Sequence, residues 1–138
     1  MSDTLKLTVL SPERRLLEGA AVRVATIPGA EGQIQILPGH APMVGSLDMG
    51  VFSFETAQGT KRGIISTGFF KVLDDHLTVM AETLELEGEV DLDRAKRAQV
   101  KAEEALKDPA LDEHQFKKFQ LKMQRALIRQ QLSNHPSH

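Results

Sequence analysis

Leu5, Leu7 and Val9 alternate with Lys6 and Thr8 near the head of the chain, a period of two that turns successive side chains to opposite faces and predicts a half-buried strand. Short apolar runs follow at Val22/Val24, Ile34/Ile36, Val51 to Phe54, Ile64/Ile65, Phe69 to Leu73 and Leu77/Val79. Between them stand the turn signals Pro28-Gly29, Gln58-Gly59 and Asp74-Asp75-His76. Many short strands at this spacing predict a sandwich or flattened barrel. The pattern changes after Gly88: all ten glycines lie between Gly19 and Gly88, and 89–138 has none while being rich in Lys, Arg, Glu, Ala, Gln and Leu. Glycine admits positive φ at turns and costs about 1 kcal/mol inside a helix, so the shift marks a β domain at 1–88 and an α domain at 89–138.

In the second part, Asp91 is placed to cap a helix, Asp93 complements its positive end, and Asp108-Pro109 stops it after about Lys107. Asp112 with Gln115 then forms a capping box, and Leu111 and Phe116 take the hydrophobic-staple positions of a second helix that ends near Asn134 and Pro136. Ala95, Ala98, Ala102 and Ala105 form a stripe of small side chains on the first helix. Phe116, Phe119, Met123, Ala126 and Leu127 share a face of the second. A short loop makes the two an antiparallel hairpin. With its midpoint near Pro109, Arg94 is expected level with Arg125 and Asp91 with Arg129.

Composition narrows the chemistry. The chain has 138 residues and a net charge of −2, so it lacks a field for non-specific binding of nucleic acid, and its length fits one domain with a small appendage. A chain of this size buries roughly 70% of its unfolded surface, enough for a core. With no Cys there are no disulfides, thiolate metal sites or thiol nucleophiles. The start carries no apolar signal-peptide region, and no run approaches the roughly 18 apolar residues of a membrane span, so a soluble, cytosol-facing chain is expected. Trp and Tyr are absent, and the six Phe sit mostly at core-like positions, which removes the usual stacking platforms.

Two segments carry candidate chemistry. Arg94, Arg125 and Arg129 with Asp91 would converge at the open end of the hairpin, near where Glu85 leaves the last strand, and guanidinium forks match phosphate oxygens. By spacing alone the same residues more simply describe a solvated charged face, the rule for helices, with an Asp91–Arg129 ion pair worth about 0–1 kcal/mol. The other segment is Leu37-Pro38-Gly39-His40-Ala41-Pro42-Met43-Val44, in which two prolines bracket a Gly-His pair before apolar residues and stiffen a loop that is either a docking surface or a tight corner in which His40 satisfies a backbone group. Catalytic patterns are missing. The histidines have no HxH or HExxH spacing, Ser46 and Asp48 lack a nucleophile elbow, and no phosphate-binding G-x-x-x-x-G-K-[ST] loop occurs. No metal site and no catalytic residue is therefore expected, and a binding or regulatory protein is favoured over an enzyme acting alone.

The order of these features resembles the epsilon subunit of bacterial F-type ATP synthases. The resemblance is carried by Glu31-Gly32-Gln33-Ile34-Gln35-Ile36-Leu37-Pro38-Gly39-His40-Ala41-Pro42, by Asp91-Leu92-Asp93-Arg94-Ala95 and by the terminal hairpin, and it covers nearly the whole chain. It implies a ten-stranded β-sandwich followed by two helices, in a non-catalytic central-stalk subunit of a proton- or sodium-driven rotary motor. Such a subunit lies peripherally on the cytoplasmic face of the inner membrane and meets that membrane only through the complex. It also implies that Gln33, Pro38, Gly39, His40 and Pro42 dock on the c-subunit ring, that a neighbouring sandwich face packs on the gamma subunit, and that the hairpin can extend to the alpha and beta subunits and oppose ATP hydrolysis. Gln33 and Gln35 stand where the family commonly has Glu and Gly, so an ion pair at the first is not inherited. The hairpin helix suits acidic loops: Lys117, Lys118, Lys122, Arg125 and Arg129 outweigh Asp112 and Glu113. Several members bind ATP through an [I/L]-D-x-x-R-A motif and an R-x-x-x-R pair. Val90-Asp91-Leu92-Asp93-Arg94-Ala95 and Arg125-Ala126-Leu127-Ile128-Arg129 match with Val90 as the departure, and Glu85 falls at the acidic position. ATP is thus implied as a regulatory ligand, with no required cofactor. The other class left standing is a free-standing sandwich that binds a ligand or acts as an enzyme.

Overall fold

The computed structural model describes residues 3–89 and 91–134, and in it the chain divides into two compact units, the first running to Glu87 and the second beginning at Gly88. The first holds ten strands: β1 (Leu5–Ser11), β2 (Arg14–Val22), β3 (Val24–Gly29), β4 (Gly32–Ile36), β5 (Met43–Leu47), β6 (Gly50–Thr56), β7 (Gly59–Ile65), β8 (Gly68–Leu73), β9 (His76–Ala81) and β10 (Leu84–Leu86). They form one sheet in the order β10-β7-β6-β3-β5-β8-β9-β1-β2, with β4 paired to β3 alone. β3 and β5 meet only where Gly29 faces Leu47, so the sheet folds over at that point into the two layers of a sandwich. The inward faces supply the core. Leu5, Leu7 and Val9 are each at most 1% exposed, and they pack in one cluster with Ile27, Phe52, Phe70 and Val79.

The period-two runs find their strands, but with two changes. Val22 and Val24 belong to different strands, β2 and β3, because the chain turns at Arg23. Pro28-Gly29 is the end of β3 rather than a turn: Pro28 faces Gln33, Gly29 faces Gly32, and the turn falls on Ala30-Glu31. Pro28 costs the ladder no hydrogen bond on its acceptor side, since its carbonyl receives the Asp48 N–H at 2.9 Å. At the far edge, Gly63 is required by β10, whose Glu85 carbonyl oxygen would stand 2.6 Å from any added Cβ. Beside it Arg62 grips Glu87 with both arms of its fork, at 2.6 Å and 3.3 Å, with 19% and 28% of the two side chains exposed. That pair pins the last residue of the first unit to β7.

The second unit contains α1 (Leu92–Leu106) and α2 (Glu113–Asn134). Asp91 caps α1, its Oδ1 accepting the Arg94 N–H at 3.1 Å. Asp112 and Gln115 form the reciprocal box on α2, at 2.7 Å and 3.3 Å. The buried stripe of α1 is narrower than the alanine pattern implies. Ala95 and Ala102, seven residues apart and so nearly in phase, are 3% exposed, whereas Ala98 is exposed and Ala105 half-buried on the flank of that line. On α2, Ala126 and Leu132 are buried, while Phe116 and Leu127 are 41% and 42% exposed. Val90 and Pro136 lie outside the described residues.

Hairpin register departs from expectation. A midpoint near Pro109 would set Gln99 opposite position 120, yet Gln99 Oε1 accepts from Gln130 Nε2 at 2.6 Å. The offset is about 15 Å of helix. Its cause is the connection: residues 107–112 form two successive turns, in which Lys107 and Asp108 donate to Glu104 and Ala105 and Leu111 donates to Asp108, rather than one tight corner. Arg94 is therefore not level with Arg125, nor Asp91 with Arg129.

Candidate functional site

Leu37-Pro38-Gly39-His40 is a closed turn. The His40 N–H donates to the Leu37 carbonyl at 3.1 Å, and Gly39 has φ of 83°, the signature of a type II turn with Pro and Gly at its two central places. The His40 Nδ1 lies 2.7 Å from the Ala41 carbonyl, which can only accept, so Nδ1 carries the proton and the ring is clamped to its own loop. The segment is the tight corner in which His40 satisfies a backbone group, and Gly39 and Pro42 stand exposed on it. Gln33 is not clustered with them. It lies at the start of β4, separated from Ile36 by about 10 Å of strand, and faces Pro28. What joins Gln33, Pro38, Gly39, His40 and Pro42 is an edge: β4 pairs on one side only, with Gln33 and Gln35 exposed along it, and the turn prolongs that edge.

The phosphate candidates are distributed over both units. Glu85 is half-buried on β10 of the first unit, opposite Ile64. In the second, Asp91 is committed to the α1 cap and Arg94 is exposed one turn on. Arg125 and Arg129 are half-buried four residues apart on α2, and the Arg125 Nε is buried with no hydrogen-bond partner among the described residues. A buried guanidinium N–H without an acceptor is costly, and an anion is the group that would relieve it. No cluster of His, Asp or Glu able to hold a metal occurs among the described residues. Nor is any described helix long and apolar enough to cross a membrane.

One surface escaped the sequence reading. Phe69 on β8 and Met80 on β9 face each other across the ladder, 64% and 48% exposed, and Val44 on β5 is 73% exposed. With Leu10, Pro12 and Leu47, Phe69 and Met80 border an open groove of about 660 Å³. Phe52, Phe54 and Phe70 are core residues, whereas Phe69 and Phe116 are exposed, which corrects the expectation that most of the phenylalanines are buried. Strand alternation sends Phe70 inward at 2% exposure and its neighbour outward. The signal was available in the run Gly68-Phe69-Phe70-Lys71-Val72, where two adjacent aromatics cannot both face one side of a strand.

Residues 4–87 match the family model described as ATP synthase, Delta/Epsilon chain, beta-sandwich domain. Residues 89–134 match that for the long alpha-helix domain of the same chain. The chain belongs to the ATP synthase delta/epsilon family. Among curated relatives, the ATP synthase epsilon chain of Trichlorobacter lovleyi is 36% identical over 133 residues, 96% of each chain. That of Geobacter sulfurreducens is 35% identical over the same share. Among solved structures, one chain of the Euglena gracilis mitochondrial ATP synthase (OSCP/F1/c-ring) superposes with a TM-score of 0.80, at 24% identity, over 92% of this chain and 81% of its own. A chain from the central stalk and c-ring of the Tetrahymena thermophila mitochondrial enzyme gives 0.67 at 14% identity, over 94% and 96%. These two likenesses speak for the fold.

The opposite orientations of the two adjacent phenylalanines give a direct check. Replacing Phe70 with Ala should cost about 3–5 kcal/mol of sandwich stability, whereas Phe69→Ala should change it by no more than about 0.5 kcal/mol. Urea unfolding of the two variants reads the difference.

Proposed function

We propose that this chain is a non-catalytic rotor subunit of an F-type ATP synthase, joining the gamma subunit to the c-subunit ring and restraining ATP hydrolysis through its helical unit. What carries the reading is the presence of both family domains in one chain, at 4–87 and 89–134. The names of its relatives agree with it, as does the origin of a similar fold in a central stalk and c-ring assembly. In this reading the apolar band of Val44, Phe69 and Met80 packs on gamma. The free edge of β4, with Gln33 and the 38–42 turn, meets the ring. Gln33 and Gln35 offer hydrogen bonds there rather than charge. Proton or sodium flow then reaches the head through this chain and gamma. The chain sits at the cytoplasmic face of the membrane without entering it.

The helical unit is the regulatory arm. Its basic second helix suits acidic loops of the alpha and beta subunits when extended. ATP held by Arg94, Arg125 and Arg129, with Asp91 contributing an acceptor, favours the compact arm. A ligand that binds only one form stabilises it by about 2.7 kcal/mol at a hundredfold excess over Kd, enough to move a two-state element. The unpartnered Arg125 Nε supports this use of α2, although the offset hairpin register means the arginines do not form a ready-made row.

Three measurements test these parts separately. Calorimetry with the gamma subunit should show saturable binding that Phe69→Asp weakens at least a hundredfold while the fold is retained; equal binding by both would remove the apolar band from the interface. Ending the chain after Gly88 should raise ATP hydrolysis by the assembled enzyme several-fold. No rise under any condition would end the regulatory assignment. Titrating ATP into the isolated chain should give saturable binding at or below millimolar concentration, weakened at least tenfold by Arg125→Ala, and a flat titration would discard the ligand.

A further inference from the structure

The 38–42 loop is held by a residue that no motif announces. The Gly39 N–H donates to Oδ1 of Asp75 at 2.6 Å, across thirty-six residues of sequence. In a type II turn the peptide between the two central residues is the one that distinguishes it from type I: turning that peptide over converts one into the other and reverses its N–H. A carboxylate placed to accept this particular N–H favours one of the two forms. It also does so with charge assistance, which strengthens the bond relative to a neutral acceptor.

Asp75 is well placed for the task. Asp74 and Asp75 are the two residues between the paired ends Leu73 and His76, with φ of 49° and 59°, the conformation of a type I′ turn in which Asn and Gly are the usual occupants. Asp in the left-handed region gains nothing over those residues in local conformation, but it alone brings a charged acceptor. The platform beneath it is firm, because the Asp75 carbonyl accepts the Lys6 N–H at 2.9 Å and the parallel pairing of β1 with β9 starts at Lys6 and His76. The Thr8 hydroxyl adds a bond to the His76 ring at 2.8 Å. The loop is thereby tied to the strand pair at the centre of the second layer, not only to the edge strand β4 that leads into it.

We infer that Asp75 is a positioning residue for the 38–42 loop: its carboxylate fixes the Gly39 peptide so that His40 and Pro42 are presented to the partner in one geometry, a role that rests on the reading of this loop as the c-ring dock. Load transmitted through the loop then reaches β8, β9 and β1 directly. Without the clasp, the loop would rely on its two prolines, its turn-closing bond and the His40–Ala41 contact.

Two substitutions isolate the carboxylate. Asp75→Gly suits the positive φ and deletes the acceptor, whereas Asp75→Asn suits the same φ and restores a neutral oxygen. In the isolated full-length chain, hydrogen exchange at the Gly39 amide should quicken at least tenfold in Asp75→Gly and less than threefold in Asp75→Asn, with melting temperatures equal to or above the parent's. In membranes carrying the assembled enzyme, protons pumped per ATP hydrolysed should fall by half or more with Asp75→Gly and recover with Asp75→Asn. Unchanged Gly39 exchange in Asp75→Gly would overturn the clasp, and faster exchange with full pumping would overturn its positioning role. His40→Ala with Pro42→Ala, in a chain whose Asp75 is intact, separates the two layers of inference. If that variant loses pumping while Asp75→Gly does not, only the positioning role of Asp75 falls; if both pump normally, the docking reading falls and that role with it.

Discussion

A sheet of ten strands must close over its own apolar face, and in this chain the closure turns on β3. That strand pairs with β4 and β6 and touches β5 at the single position where Gly29 faces Leu47. An added Cβ on Gly29 would come within 2.8 Å of the Gly32 carbonyl oxygen, so the fold-over point tolerates no side chain. The exposed edge of β4 and the course of the 38–42 loop follow from this branch. It leaves β4 with one partner and one open side. It also sends the chain after Ile36 from one layer to the other, so that β5 pairs with β8 and the connecting loop passes beside the β8–β9 turn. The Gly39–Asp75 bond is a consequence of that crossing, and no local rule could supply it.

The same distinction between local and non-local information decides what the sequence could reveal. Strands with strict alternation, such as β1 with Leu5, Leu7 and Val9, were legible because one face is fully buried. β2 was not, since Arg14, Arg15, Glu18 and Gly19 break the pattern on a strand with few buried positions. The pattern merges Met43 and Val44 of β5 with the loop before them, because only Leu47 of that strand is buried. Ten strands were reached through family resemblance, not periodicity. The turn residues of the 38–42 segment were visible for the reason that Pro and Gly have fixed dihedral requirements. Their partner Asp75 was visible only as a turn residue, with no sign of where its carboxylate reached.

In the second unit, caps were legible and register was not. Asp91, Asp112 and Gln115 act on backbone groups within three residues, so their roles can be read from spacing alone. Register across the hairpin depends on the shape of 107–112, where the Asp108 carboxylate accepts the Ala110 N–H and draws out a longer connection. The Gln99–Gln130 bond records the result. For the arginine motif this means that matched residues need not be adjacent residues, and that a ligand drawing them together would act on the packing of α1 against α2.

The apolar band and the turn edge place opposite physical demands on one small sandwich. Val44, Phe69 and Met80 gain from leaving water, so a partner that covers them binds through area and is indifferent to salt. Gln33, Gln35 and the 38–42 turn bury little and offer hydrogen bonds whose worth depends on geometry. A surface of the second kind holds its partner only if it is rigid before contact, because the entropy of ordering a loop would consume most of the gain from a few bonds. Two prolines, a closed type II turn, a self-clamped His40 and a carboxylate on the Gly39 amide all remove that freedom in advance. Rigidity is therefore concentrated on the polar edge, and exposed apolar area on the face that could be covered broadly.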